Sequence, residues 1–243
     1  MASVAPTKKP KVQLIPWNPT SPEHIQRLIQ QRVACGWDSD AVEGWWKACQ
    51  ESGEFNLQWI VLEDSNPSSE AHLKKHIEIY PDDQTPLVDS ALFYSAKPRT
   101  IHLPQRKFIP IGHICLGSVS AINEPLTSPF VDMEGLYWIS NFYISRALQG
   151  SGLGSATLDT IESIATSEPL NAKTLAMNAI NKHDPGREEK YEALGLPIPP
   201  FSNQEWYEKR GYQVYNTLEK AFSKVDSTGK TWYWNAVYLK KAI

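Results

Sequence analysis

An α/β (α+β) fold, built on a mixed central sheet of six to seven strands with flanking helices, follows from three features of the 243-residue sequence. Segments rich in β-branched and aromatic residues alternate with segments whose apolar residues return every three or four positions. Helix start and stop signals bracket several of the latter. A strand candidate, Thr174 to Ala179, follows a strand and then a helix, the arrangement that yields a parallel pair joined by a helical crossover.

In chain order, Val12 to Trp17 alternates apolar and polar residues and reads as a strand closed by Pro16 and Pro19. Ser21-Pro22-Glu23 starts a helix, with Ser as N-cap, Pro at the first helical position and an acid in the first turn. Its expected buried stripe is Ile25, Leu28, Ile29 and Val33, and Gly36 ends it. A second helix from Asp38 or Ser39 carries Val42, Trp45, Trp46 and Cys49 and stops at Gly53. Phe55 to Leu62 is a strand. Prolines punctuate the polar stretch at about 65–107, which reads as an elaboration between two strands of a hairpin. Phe108 to Ser120 recovers strand character, with Gly112 and Gly117 marking a bulge or close packing.

Leu136 to Ile144 is a strong strand, followed by the glycine-rich Gln149-Gly150-Ser151-Gly152-Leu153-Gly154 and a helix through Leu158, Ile161, Ile164 and Ala165. A second insertion, about 181–202, holds a short helix over Arg187 to Leu194. Ser202-Asn-Gln-Glu205 is a capping box opening a helix to Arg210, ended by Gly211. Val214-Tyr215 and Thr231 to Leu239 are the last strands. The expected organisation is therefore a tail over residues 1–10 and one domain over 11–243 carrying two insertions.

Composition narrows the function classes. A formal charge of -3 gives no electrostatic case for nucleic acid or an anionic membrane surface. Three scattered cysteines form no CxxC, which supports neither a disulfide framework nor a zinc site. The first ten residues lack a signal peptide's apolar core, and no apolar run approaches the roughly 20 residues of a membrane helix. A reducing, cytoplasmic setting is the simplest expectation, with the nucleus open as well. Monomer and homodimer are both compatible.

The chemistry concentrates at the strand, glycine turn and helix. The first turn of a helix leaves N–H groups free, and its dipole adds roughly half a positive charge there. Glycines lacking Cβ let an anion reach the backbone. The stretch thus suits a pyrophosphate, with Gln149 adding a side-chain amide.

The run Ile144-Ser-Arg-Ala-Leu-Gln149-Gly150-Ser-Gly152-Leu-Gly154, followed after a short strand by Trp206-Tyr207-Glu-Lys-Arg210-Gly211-Tyr212, resembles the GCN5-related N-acetyltransferases (GNAT). The strand-helix-helix-strand order before it also matches, so the likeness spans most of Val12 to Leu239. The 181–202 insertion stretches the distance from the glycines to Tyr207, and Pro-Pro-Phe-Ser-Asn replaces the family's usual Asn-x-x-Ala lead-in.

The resemblance implies acetyl-CoA as co-substrate, no metal, a splayed parallel strand pair, and direct acyl transfer to an amine. Gln149, Gly150, Ser151, Gly152, Leu153 and Gly154 would hold the pyrophosphate. Phe142 and Ile144 would pair with the pantetheine arm as an added strand does. Asn178 either bonds that arm or caps its own strand, and Arg210 joins the coenzyme-binding set. Tyr207 matches the family's tyrosine, a general acid toward the leaving thiolate. For the base, Glu134 and Asp132 at the mouth of the central strand and His113 in the preceding strand are candidates. Glu134 is chosen because it shares side-chain parity with Ser140, Phe142 and Ile144 if the strand is unbroken past Gly135. The acceptor is expected to be a small-molecule amine, since the insertions would narrow its side. Protein N-termini or lysines are the alternative, and a non-catalytic acyl-CoA-binding module is the alternative of another class.

Overall fold

The computed structural model describes residues 11–65, 67–94, 97–101, 103–118 and 134–243. The expected tail over residues 1–10 and the base candidate Asp132 lie outside them. The elements run β1 (Val12–Pro16), α1 (Pro22–Cys35), a π-helical turn (Val42–Trp46) into α2 (Lys47–Ser52), β2 (Leu57–Leu62) and α3 (Ser69–Ile79). The two-residue strands β3 (Leu87–Val88), β4 (Phe93–Tyr94), β5 (Lys97–Pro98) and β6 (Lys107–Phe108) precede β7 (Gly112–Ser118) and β8 (Leu136–Ile144). Then come α4 (Leu153–Thr166), β9 (Thr174–Ile180), α5 (Arg187–Ala193), α6 (Asn203–Glu208), β10 (Gln213–Val225) and β11 (Thr231–Ala242). Seven strands form one mixed sheet in the order β1-β2-β7-β8-β9-β11-β10, with β8 and β9 parallel through Leu136↔Thr174 to Trp138↔Ala176.

The chain divides into two compact units, one of the described residues through Ser118 with Ile139–Leu170, the other of the described residues of 119–138 with Asn171–Ile243. In the first, β2 pairs antiparallel with both β1 and β7, so the 65–107 segment does sit within a β2–β7 hairpin. That segment is not the irregular loop its prolines suggested. It contains the 11-residue helix α3, whose single buried residue is His76. One buried residue leaves no apolar stripe, so the sequence carried no period to read. Gly112 serves close packing: a Cβ there would collide with the carbonyl oxygen of Tyr143.

Helix α1 obeys its end signals. Ser21 accepts from His24 N, Pro22 opens the helix, and Gly36 closes it at φ 89 with its N–H bonded to Arg32 O and Val33 O. The stripe, however, is rotated from expectation. Val33 is 64% exposed, and the buried face is His24, Arg27, Leu28, Gln31 and Arg32. These polar groups all find partners. His24 Nδ1 accepts from Trp59 Nε1 at 3.0 Å, Gln31 Nε2 donates to Pro110 O at 3.0 Å, and Arg32 Nε donates to Trp37 O at 2.8 Å. Trp17, Val42, Trp46, Leu57 and Trp59 complete the apolar core beneath, while Trp45 of the expected second stripe is exposed.

In the second unit, β9, β11 and β10 run antiparallel in turn around buried Leu175, Trp234, Val237 and Leu239. Strand β10 extends well beyond the expected Val214-Tyr215, because an edge strand with mostly exposed residues shows no apolar alternation. The 181–202 insertion is tied down by polar bonds. Asp184 Oδ1 accepts from Asn235 N at 2.8 Å while its Oδ2 meets Lys190 Nζ at 2.6 Å. Lys182 N donates to Gln204 Oε1 at 2.8 Å, and its Nζ to Glu208 Oε2 at 2.8 Å, fixing the insertion to α6.

Candidate functional site

The first unit brings the glycine residues together at the end of β8. After Ile144, Ser145 leads into a 3-10 turn (Arg146–Leu148), held by Leu148 N donating to Ser145 O at 2.8 Å. Ser151 then bonds back to Leu148 O through its N (3.3 Å) and its Oγ (2.5 Å). Gly150 and Gly152 both sit in the left-handed region, at φ 81 and 83, which explains glycine at these two positions. The space where a Gly150 side chain would stand is open, with nothing within 4 Å. Gly152 is the N-cap of α4, and no side chain caps this helix. The first intrahelical bond is Ala156 N to Gly152 O at 3.0 Å, which leaves the N–H groups of Leu153, Gly154 and Ser155 without a helical acceptor. Leu153 itself is fully buried and anchors the turn. The residues present therefore fit a diphosphate: uncapped amides, a favourable dipole end and open backbone.

Two local details differ from expectation. The Gln149 amide turns back and donates to Ile144 O at 3.4 Å. Asn141 adopts φ 51 within β8, and a left-handed residue in an extended strand breaks the two-residue alternation. Phe142 is half-buried and Ile144 buried on the far side of that break.

Two of the base candidates, Glu134 and His113, lie among the described residues. Strand β8 begins at Leu136, and Gly135 before it has φ 75, so Glu134 shares no continuous strand with Phe142 or Ile144. Its side chain is 82% exposed and lies 3.6 Å from Lys173 Nζ. His113 is fully buried, its Nδ1 2.9 Å from Gln31 Oε1 and its Nε2 3.5 Å from Arg32 Nη1. Burial, helped by Arg32, holds its pKa well below the ordinary value. It is a core histidine with no route to a substrate.

In the second unit, Ser202 caps α6 as the capping box requires, accepting from Glu205 N. Tyr207 on this helix is buried, edge-on to Trp206 (4.9 Å) and Tyr212 (5.9 Å). Burial alone raises its phenol above the ordinary range. The Arg210 guanidinium lies 5.6 Å over the Trp206 ring. Asn178 is half-buried on β9 and registers with Tyr238 of β11. No cluster of metal-ligating side chains occurs among the described residues.

A polar chain that the sequence did not announce lies beside the glycine turn. His76 Nδ1 is 2.8 Å from Ser145 Oγ, and His76 Nε2 and Arg27 Nε each lie 3.2 Å from the Asp83 carboxylate. A cleft of about 460 Å³ between α1 and α3 opens next to it, with Ile29, Val33, Ile79, Tyr80 and Tyr143 among its walls.

Comparison with solved structures places this architecture. Arabidopsis thaliana NAA60 in complex with a bisubstrate analogue superposes with a TM-score of 0.53 at 11% identity, covering 96% of this chain and 99% of that one. The same protein in complex with acetyl-CoA gives 0.52 at 12% identity over 96% and 99%. A GNAT-family protein from Desulfovibrio desulfuricans gives 0.52 at 11% identity, covering 95% of this chain and 98% of that one. No protein-family model matches the chain, and no curated protein matches it in sequence. The chain has the fold of the GCN5-related N-acetyltransferases.

Proposed function

We propose that the chain is an acetyl-CoA-dependent N-acetyltransferase that moves the acetyl group directly to the primary amine of a small molecule. One observation carries this reading: α4 begins at a left-handed glycine, with no side-chain cap, where β8 of a GNAT fold ends. The similar structure containing acetyl-CoA supports the coenzyme. A cytoplasmic location and a monomeric or homodimeric state go with it.

Bound acetyl-CoA supplies a thioester already activated toward amines. The amides of Leu153, Gly154 and Ser155, with the Gly150 and Gly152 backbone, would hold its diphosphate, and the backbone of Phe142 and Ile144 would pair with its pantetheine amides. The sequence resemblance gives Asn178 and Arg210 to the coenzyme as well. Tyr207 keeps its proton at neutral pH because burial disfavours the phenolate. A phenol raised in this way is a poor stoichiometric acid. Its contribution is a hydrogen bond to the sulfur as negative charge develops there. With Glu134 solvated and His113 sealed, the acceptor ammonium would lose its proton to water.

A thiol-release assay across a panel of small amines, with N-terminal and lysine peptides as a second arm, tests the reading. Turnover on the amines is the expected result, and turnover confined to peptides moves the acceptor class. Tyr207→Phe should lower kcat about a hundredfold and leave the acetyl-CoA KM near its wild-type value. Calorimetry showing no binding of any coenzyme A species to folded protein overturns the proposal.

A further inference from the structure

We infer that the 65–107 insertion is a positioning device for the diphosphate turn, acting through the buried chain Arg27–Asp83–His76–Ser145; this rests on the coenzyme reading above. The four residues come from α1, the 3-10 turn (Pro81–Gln84), α3 and the residue after β8, and none is more than 5% exposed. The His76 ring stands between the carboxylate and the serine, its Nε2 3.2 Å from Asp83 Oδ2. On its other side Nδ1 is hydrogen-bonded with the Ser145 hydroxyl at 2.8 Å. Arg27 neutralises Asp83 at 3.2 Å and donates from Nη2 to Thr85 O at 2.8 Å, which fixes the turn bearing the carboxylate.

From Ser145 the bonds continue into the glycine stretch. Its N donates to Ile111 O at 2.8 Å, its O accepts Leu148 N at 2.8 Å, and Leu148 O accepts both Ser151 N and Ser151 Oγ. Ser151 adjoins the cap Gly152, whose conformation aims the free amides. His76 is therefore a positioning residue. The ring is 1% exposed and stands between Ser145 and Asp83, which keeps it from a substrate proton. Charges this deeply buried are costly to desolvate and are tolerated only beside their partners.

A merely structural role would weaken every ligand or none, so the test uses two probes. Calorimetric titration with CoA and with pantetheine, which lacks the diphosphate, is run on wild type, His76→Phe, His76→Gln and Ser145→Ala. The expected result is a Kd for CoA raised about tenfold in His76→Phe and Ser145→Ala, partial recovery in His76→Gln, and an unchanged Kd for pantetheine. Ser145→Ala removes one hydroxyl and keeps the test alive should His76→Phe fail to fold. Equal changes for both probes, or none for CoA, overturn the inference while the coenzyme reading stands. Wild type that binds no CoA overturns both.

Discussion

Helices α1 and α4 are both 14 residues long and belong to the same unit, yet they are finished in opposite ways. The first turn of α1 is closed by Ser21 and Pro22, and its buried face is polar, with His24, Arg27, Gln31 and Arg32 each bonded to another segment. The first turn of α4 is left open behind Gly152, and its buried face is Leu153, Thr157, Leu158, Ile161 and Ala165. A capped helix end satisfies its own amides, whereas the open end of α4 leaves them available to an outside acceptor. The polar face works the other way. α1 spends its buried surface on holding segments distant in sequence, while α4 needs only apolar packing to stand rigid beneath its open end.

The widest break in this contrast is at Asp83. Asp83→Ala strands buried Arg27 and His76, and should cost about 3–5 kcal/mol, lowering Tm by roughly 10 °C in a thermal melt. Gly152→Val should come next. A β-branched residue at φ 83 is strained, so the cap must shift and the Kd for CoA should rise roughly 30-fold, read by calorimetry, with a smaller loss in Tm. Ser21→Ala removes the α1 cap for about 1 kcal/mol and a Tm drop of about 2–4 °C. Its Kd for CoA should match wild type, and a change there would undo the division of labour between the two helix starts.

The shallowest effect is in pH. The pKa of His113, bonded to Gln31 of α1, is depressed in the folded state by burial and Arg32. Below its unfolded value near 6.5, the unfolded chain binds a proton that the folded chain does not, so stability should fall as pH drops from 6.5 toward 5. His24, also depressed by burial, adds in the same direction. The same melts on His113→Asn should show a flatter dependence over that window.

Much of the scaffold was legible because its signals are local. The Ser21-Pro22 start, the Gly36 stop, the Ser202–Glu205 box and the Leu136–Ile144 strand all stand where their residues placed them. The parity argument for Glu134 failed for an equally local reason, invisible in residue type: Gly135 and Asn141 both take positive φ. Helix α3 and the length of β10 were missed because neither shows apolar periodicity, the one burying only His76 and the other lying exposed at the sheet edge.

What the sequence by itself determined is therefore the scaffold and its open helix end, since caps, glycines and apolar spacing act over a few residues through backbone sterics and hydrogen bonding. What only the tertiary structure decided is which polar side chains are worth burying. Arg27, His76, Asp83 and Ser145 span 118 positions between first and last, and in isolation each would be read as a surface residue. A buried charge is tolerated only beside its partner, and partners so far apart meet only after the chain has folded.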